Sequence, residues 1–238
     1  MRLFLLGMLA TGCDLTTSDS DTPALPGTDT HRIGDTGSIE TIEATVRILS
    51  ATSGAGVAGV VVQTTDGESE TTSTDGTAML QVDADSTFGL SVQGEGAIDH
   101  LLFGPTGDAD FEFITFLATE SLLGTVNSYL GTTTTPDTGI VVVGIDYDDL
   151  SPAVGASASL DSGHDGPWVL GSTLPAIDDT VPAGGMGMVA FPNVAPGDVS
   201  VSVVPPSGAS CTAFPGGGEM PRVPVLMNQV TVVAFHCR

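Results

Sequence analysis

The 238-residue chain contains no lysine, and its five basic residues are all arginine (Arg2, Arg32, Arg47, Arg222 and Arg238) against 29 acidic ones. A formal net charge of −24 repels phosphate, which excludes nucleic-acid binding and any grip on anionic headgroups through a basic patch. The acidity itself reads as a solubility device. Aromatic residues make up 5% of the chain and charged residues 14%, a composition suited to small β domains with modest cores. No apolar run approaches the ~20 residues that a membrane-spanning helix needs. The cysteines are three, Cys13, Cys211 and Cys237, without a C-x-x-C pair. His236 beside Cys237 therefore lacks the second ligand pair of a zinc site.

What is present begins at the N-terminus. Arg2 precedes a short apolar run, Leu3 to Ala10, and small residues close on Cys13, which is a signal-peptide layout. Leu9-Ala10-Thr11-Gly12-Cys13 resembles a bacterial lipobox. The resemblance implies that residues 1–12 are removed and that Cys13 carries acyl chains. These would partner the protein with a membrane at about 0.8 kcal/mol per buried CH₂. Residues 14–40, rich in Thr, Ser, Asp, Gly and Pro, show no periodicity and read as a flexible tether behind Cys13. With Cys13 lipidated, Cys211 and Cys237 form an even pair in an oxidising compartment and are expected to be disulfide-bonded. Closing a loop of about 27 residues is worth ~3–4 kcal/mol in the chain-entropy view. The location expected is the bacterial cell envelope, with the outer membrane or cell surface favoured. Asp14 after the cysteine also admits the periplasmic face of the inner membrane.

From Thr41 onward the pattern is β. Expected strands are Ala44–Leu49, Gly59–Thr64, Ala78–Val82, Phe88–Val92 and Phe111–Leu117, separated by Gly- and Asp-bearing turns. A second set comprises Ile140–Ile145, Val154–Leu160, Met188–Phe191, Val199–Val203 and Val230–Phe235. Between the sets, residues 120–130 place Leu122, Leu123, Val126, Tyr129 and Leu130 on one helical face. Glu120 suits the start of that helix and Gly131 its stop. Residues 161–187, Gly- and Pro-rich and holding the sole tryptophan, Trp168, read as a long surface insertion, the natural place for binding.

The two halves repeat an order of features. Gly56-Val57-Ala58-Gly59-Val60-Val61-Val62 matches Pro152-Ala153-Val154-Gly155-Ala156-Ser157-Ala158, and Asp75-Gly76-Thr77-Ala78-Met79-Leu80 matches Gly187-Met188-Val189-Ala190-Phe191. The run Phe191-Pro192-Asn193-Val194-Ala195-Pro196-Gly197, followed by the strand to Val203, resembles the carboxypeptidase regulatory-like domains. The first half has Val82-Asp83-Ala84-Asp85-Ser86 in place of that proline turn. The resemblance implies transthyretin-like β-sandwiches, usually noncatalytic accessory or surface modules, and so architecture more than activity.

Four constellations invite a chemical reading. Gly54-Ala55-Gly56-Val57-Ala58-Gly59 matches a phosphate-binding fingerprint by letter, but a strand rather than a helix follows, so it reads as a turn. Asp146, Asp148 and Asp149 are weak metal candidates: three carboxylates begin a calcium site, yet the EF-hand glycine and closing glutamate are missing. Asp161, Ser162, His164 and Asp165 bring triad residue types together without a nucleophile elbow. The iron set of the intradiol dioxygenases, two Tyr and two His on a related sandwich, has no closely spaced histidine pair to match here. Candidate ligand-binding residues are Trp168, His164 and Asp165; no cofactor is expected.

The expectation is an all-β chain of two tandem transthyretin- or Ig-like sandwiches, residues 41–119 and 139–238, joined by the helix and linker 120–138. Its expected role is a noncatalytic, membrane-anchored structural, adhesive or spacer module with an envelope protein or glycan as partner. The alternative is a ligand-binding accessory protein, for a glycan, peptide or cation, using the 161–187 insertion.

Overall fold

The computed structural model describes residues 40–170 and 175–238. The expected leader, Cys13, Asp14 and the expected tether up to residue 39 lie outside the described residues. The first half supplies β1 (Thr41–Ser50), β2 (Val61–Thr64), β3 (Ser69–Thr71) and β4 (Thr77–Asp83). It continues with β5 (Thr87–Gln93), β6 (Asp99–Pro105) and β7 (Phe111–Leu117). Helix α1 (Glu120–Leu130) follows. The second half opens with β8 (Gly139–Tyr147), β9 (Ser157–Leu160), β10 (Trp168–Leu170) and β11 (Pro175–Ile177). Then come β12 (Met188–Val194), β13 (Gly197–Val199), β14 (Val201–Val204), β15 (Cys211–Phe214), β16 (Val223–Val225) and β17 (Gln229–Cys237). The fold is all-β, with one short helix among the described residues.

Alternation explains most of the strands. In β4, Ala78, Leu80 and Val82 are buried while Met79 and Gln81 face water, and in β5 Phe88, Leu90 and Val92 are buried. Helix α1 starts where Thr119 Oγ1 accepts the Leu122 N–H at 3.1 Å. It stops at Gly131, whose φ of 67° few other residues adopt cheaply. No helix of the described residues is long and apolar enough to cross a membrane.

Two cores result. The first lies between a three-stranded sheet, β4-β1-β7, and the β2, β5 and β6 part of a ten-stranded sheet. The second is built on β8, β12 and β17 of that same sheet, faced by the pairs β14-β9 and β13-β16. The ten-stranded sheet runs β11-β10-β12-β8-β17-β6-β5-β2-β3, with β15 also on β17.

Strand β17 therefore joins the halves. It runs parallel to β8 on one side, Val230 opposite Ile140 through Cys237 opposite Tyr147. On its other side β6 pairs in parallel with residues 229–232, and β15 then takes over in antiparallel fashion as far as Cys237. The handover is tight: a Cβ on Gly104 would lie 2.7 Å from the Phe214 carbonyl oxygen. Val230 and Val232 enter the first core, whereas Val233, Phe235 and Cys237 enter the second. A strand buried on both faces shows a continuous apolar run, which is what Val230-Thr231-Val232-Val233-Ala234-Phe235 displays. Thr231, fully buried, donates its hydroxyl to the Pro224 carbonyl at 2.9 Å. The described residues consequently belong to one compact unit.

His100 closes the first core. It is 1% exposed; its Nδ1 donates to the Ile98 carbonyl at 2.7 Å, and its Nε2 accepts the Ala118 N–H at 3.1 Å. Only the neutral ring satisfies both bonds. Burial holds the pKa of this histidine below its ordinary range.

Because β17 serves both cores, Val232→Ala and Val233→Ala are expected to destabilise one and the same unfolding transition, each by about 2 kcal/mol. Urea titrations followed by Trp168 fluorescence and by far-UV circular dichroism should coincide for both variants; two separated transitions would contradict a shared core strand.

Candidate functional site

The insertion 161–187 contributes two strands to the sheet: β10 pairs with β12, and β11 with β10. The sequence alone suggests a simple surface loop there, because strands of three residues are too short for a visible alternation. Trp168 stands opposite Ala190 and Ile177 and is 3% exposed. Its indole borders an apolar cleft of about 370 Å³ beneath α1, with Leu122, Leu123, Val126, Val142 and Ala190. The indole Nε1 is buried without a hydrogen-bond partner among the described residues.

His164 and Asp165 do not join Trp168. The His164 ring meets Phe191 edge-on, with centroids 4.8 Å apart, and its Nδ1 lies 3.2 Å from the Asp165 carbonyl oxygen. Asp165 accepts from Asn193 Nδ2 at 2.6 Å. Asn193, at φ 57° in the irregular end of β12, also donates to the Thr133 carbonyl at 2.8 Å and accepts the Thr135 N–H at 2.7 Å. Asp165 thus belongs to a brace that fixes the linker after α1. Asp161 of the triad-like run is equally engaged: it accepts the Ser200 N–H at 2.7 Å and faces Arg222 Nη1 at 3.3 Å. These two partners hold its carboxyl below the usual range, the Ser200 bond acting most strongly.

The three aspartates at the end of β8 also diverge. Asp149 accepts the Ser151 hydroxyl and, at 3.0 Å, the Ser151 N–H, and both bonds lower its pKa, the hydroxyl the more. Asp148 pairs with Arg238 Nε at 2.8 Å and lies 3.7 Å from His236 Nδ1. Asp146 enters a separate groove of about 240 Å³ with Glu112, Met186, Met188, Phe214 and His236. Its carboxylate fits only because residue 187 is glycine, where a Cβ would stand 2.1 Å from Asp146 Oδ1. Desolvation pushes the Asp146 pKa up to about 7. His236 stacks on Phe214 with centroids 3.9 Å apart; burial lowers its pKa, Asp148 opposes that shift and Arg238 adds to it. Among the described residues no three His, Cys, Asp or Glu side chains gather as a metal cage.

The glycine fingerprint is a turn. Gly54 and Gly59 have φ of 68° and 80°, and a Cβ on Gly56 would meet the Asp75 carbonyl oxygen at 2.0 Å. Cys211 and Cys237 are bonded, as a directly opposed pair on β15 and β17 with Cα atoms 4.0 Å apart. Cys13 and the tether histidine His31 lie outside the described residues. Two residues carry no signal in the sequence: His100, whose burial no local motif marks, and Asn193, whose neighbours in space are 58 and 60 positions away.

No protein-family model matches the chain, and no curated protein matches it either. Among solved structures, the minor pilin GBS52 of Streptococcus agalactiae aligns with a TM-score of 0.30 and 13% identity over 82% of this chain and 94% of that one. The shaft pilin spaA of Lactobacillus rhamnosus GG aligns with a TM-score of 0.25 and 9% identity over 84% of this chain and 98% of that one. The TIE protein of Bacillus anthracis aligns with 0.27 and 8% over 83% of this chain but 34% of its own. Likeness at this level carries neither a fold assignment nor a function to the present chain.

Two outcomes follow from the groove and the disulfide. A carboxyl whose folded pKa is raised stabilises most below its unfolded value of 3.8, and that contribution is lost as pH climbs to about 7. Asp146→Asn should therefore be more stable than the parent at pH 8, by about 1–2 kcal/mol after allowing for partial exposure, with the gain vanishing near pH 4. Glu112, His236, Asp148 and Arg238 stay unchanged in that comparison, so thermal melts across pH isolate the one carboxyl. Replacing both Cys211 and Cys237 with serine should cost about 2–4 kcal/mol in urea denaturation under oxidising conditions and nothing relative to the reduced parent.

Proposed function

We propose that the chain is a noncatalytic envelope lipoprotein, held at a membrane through Cys13 and acting as a structural, adhesive or spacer module. The observation that supports this reading best is the sharing of one ten-stranded sheet by both cores, fastened at β17 and at Cys211–Cys237. Such a body transmits force through strand pairing instead of through a hinge. Of the carboxylates named as chemical candidates, Asp165 braces with Asn193, Asp161 with Ser200, Asp148 with Arg238 and Asp149 with Ser151, whereas Asp146 has no such bond among the described residues. The lipobox-like Leu9-Ala10-Thr11-Gly12-Cys13 supports the anchor, and the disulfide suits an oxidising compartment. A surface of net charge −24 remains soluble and stands off an anionic bilayer, as a module held on a tether requires.

A second reading, a ligand-binding accessory protein working through residues 161–187, draws support from the cleft beside Trp168. An apolar slot bordered by Trp168 and by Leu122, Leu123 and Val126 of α1 suits an apolar ligand.

Intact-mass measurement of the protein from its native membrane fraction tests the anchor. The expected species starts at Cys13, carries acyl chains, and gains two hydrogens on reduction. An unlipidated species in the soluble fraction would overturn the anchor and leave the ligand-binding reading as the better one.

A further inference from the structure

Strand β7 has one edge that no described strand covers. It pairs only with β1, in parallel, Ala44 opposite Phe111 through Ser50 opposite Leu117. Which residues turn their backbone groups to the open side follows from alternation. Ala118 gives its N–H to His100 Nε2 and its carbonyl accepts the Ile98 N–H, both on the side away from β1. Residues at even positions share that direction, so Glu112, Ile114 and Phe116 present their N–H and C=O groups there. No described residue bonds to them. At Ala118 the edge is sealed; over 112–116 it is open.

This open edge forms one wall of the groove that holds Asp146. Ile114 and Phe116 line it from β7, and Leu150, Met186 and Met188 line it from the opposite bank. An unpaired strand edge beside an apolar slot is the setting for strand addition, in which main-chain bonds hold an extended segment and the slot selects its side chains. The charges in the groove decide the occupant. Glu112 and Asp146 line it, His236 is held toward its neutral form by burial, and no arginine lines it. Asp146 accepts no hydrogen bond from a described residue, yet Gly187 leaves room for its carboxylate. A second copy of the chain would bring another −24 against this surface and is disfavoured.

We propose that β7 accepts an extended, lysine- or arginine-bearing segment of a partner protein as an added strand along Glu112–Phe116, its cation seated against Asp146 and Glu112. This goes beyond the envelope role and is independent of the lipid, so it survives or fails separately from the mass measurement.

The test is a titration of the full chain at pH 8, where Asp146 is mostly ionised, with a capped peptide that alternates valine or threonine with lysine, and with its glutamate counterpart. Amide hydrogen exchange is the readout. The lysine peptide is expected to slow exchange at Glu112, Ile114 and Phe116 about tenfold or more, with binding weakened by salt. The glutamate peptide should protect none of them. Asp146→Asn should weaken binding by about three- to tenfold, since the strand pairing is retained and one of the two carboxylates that attract the cation is neutralised. Ile114→Pro removes an edge N–H that β1 does not use and should abolish protection at the edge; if that variant fails to fold, Asp146→Asn alone decides. Equal protection by both peptides, no protection by the lysine peptide, or an unchanged affinity in Asp146→Asn would overturn the proposal. So would slowing that depends on protein concentration without peptide, which would identify a second copy as the occupant.

Discussion

The parallel pairing of β17 with both β6 and β8 is the constraint on which the rest of the structure depends. A strand at the middle of a sheet has two faces to bury, and here its residues are divided between two cores. The first half cannot complete its core alone, because Val230 and Val232 come from the far end of the chain. The second half draws Val233, Phe235 and Cys237 from the same strand. The disulfide then ties β15 to the C-terminal end of β17, where β6 has already left its flank.

With four arginines after Arg2 and no lysine, the molecule braces itself mainly with neutral polar bonds. Asn193 gathers Asp165, Thr133 and Thr135; His100 joins Ile98 to Ala118; Thr72 accepts the Val60 N–H and donates to the Val57 carbonyl. Two of the arginines are placed where separate chain segments meet an acid. Arg222 bridges Asp161, Ser200 and the Asp198 carbonyl, and Arg238 meets Asp148. These pairs are exposed, so their net contribution to stability is small and their role is registration of loops. Asp146 stands apart from this pattern of paired groups, a half-buried carboxyl with a cavity before it and no partner among the described residues.

Legibility in the sequence tracks the range of the interactions. The helix over 120–130 is readable because its face, cap and stop are all local, and β7 because Phe111, Phe113 and Leu117 alternate with exposed or half-exposed neighbours. The disulfide is readable from cysteine count and compartment. Strand β6 is not: its buried positions include His100 and Gly104, which no hydrophobic pattern marks. Strands β10 and β11 are hidden inside a Gly- and Pro-rich stretch that has the composition of a loop. The divergence of Asp146, Asp148 and Asp149 is equally hidden, since sequence adjacency says nothing about which face of a strand end each carboxylate takes. Nor does periodicity reveal that the continuous apolar run of β17 serves two cores at once; it announces burial on both faces, not the owners of those faces.

The position of β17 also sets an order of events in biogenesis. A ribosome delivers β1 to β7 more than a hundred residues before Val230 and Val232 exist, so the first core waits, incomplete, through synthesis of the whole second half. Contacts of such long sequence separation close slowly, so the first half, although β1 to β7 can pair among themselves, keeps the β6 edge that β17 will cover open meanwhile. The fold therefore cannot lock until its last strand has been made, and a nascent chain stalled before β17 leaves no finished half behind.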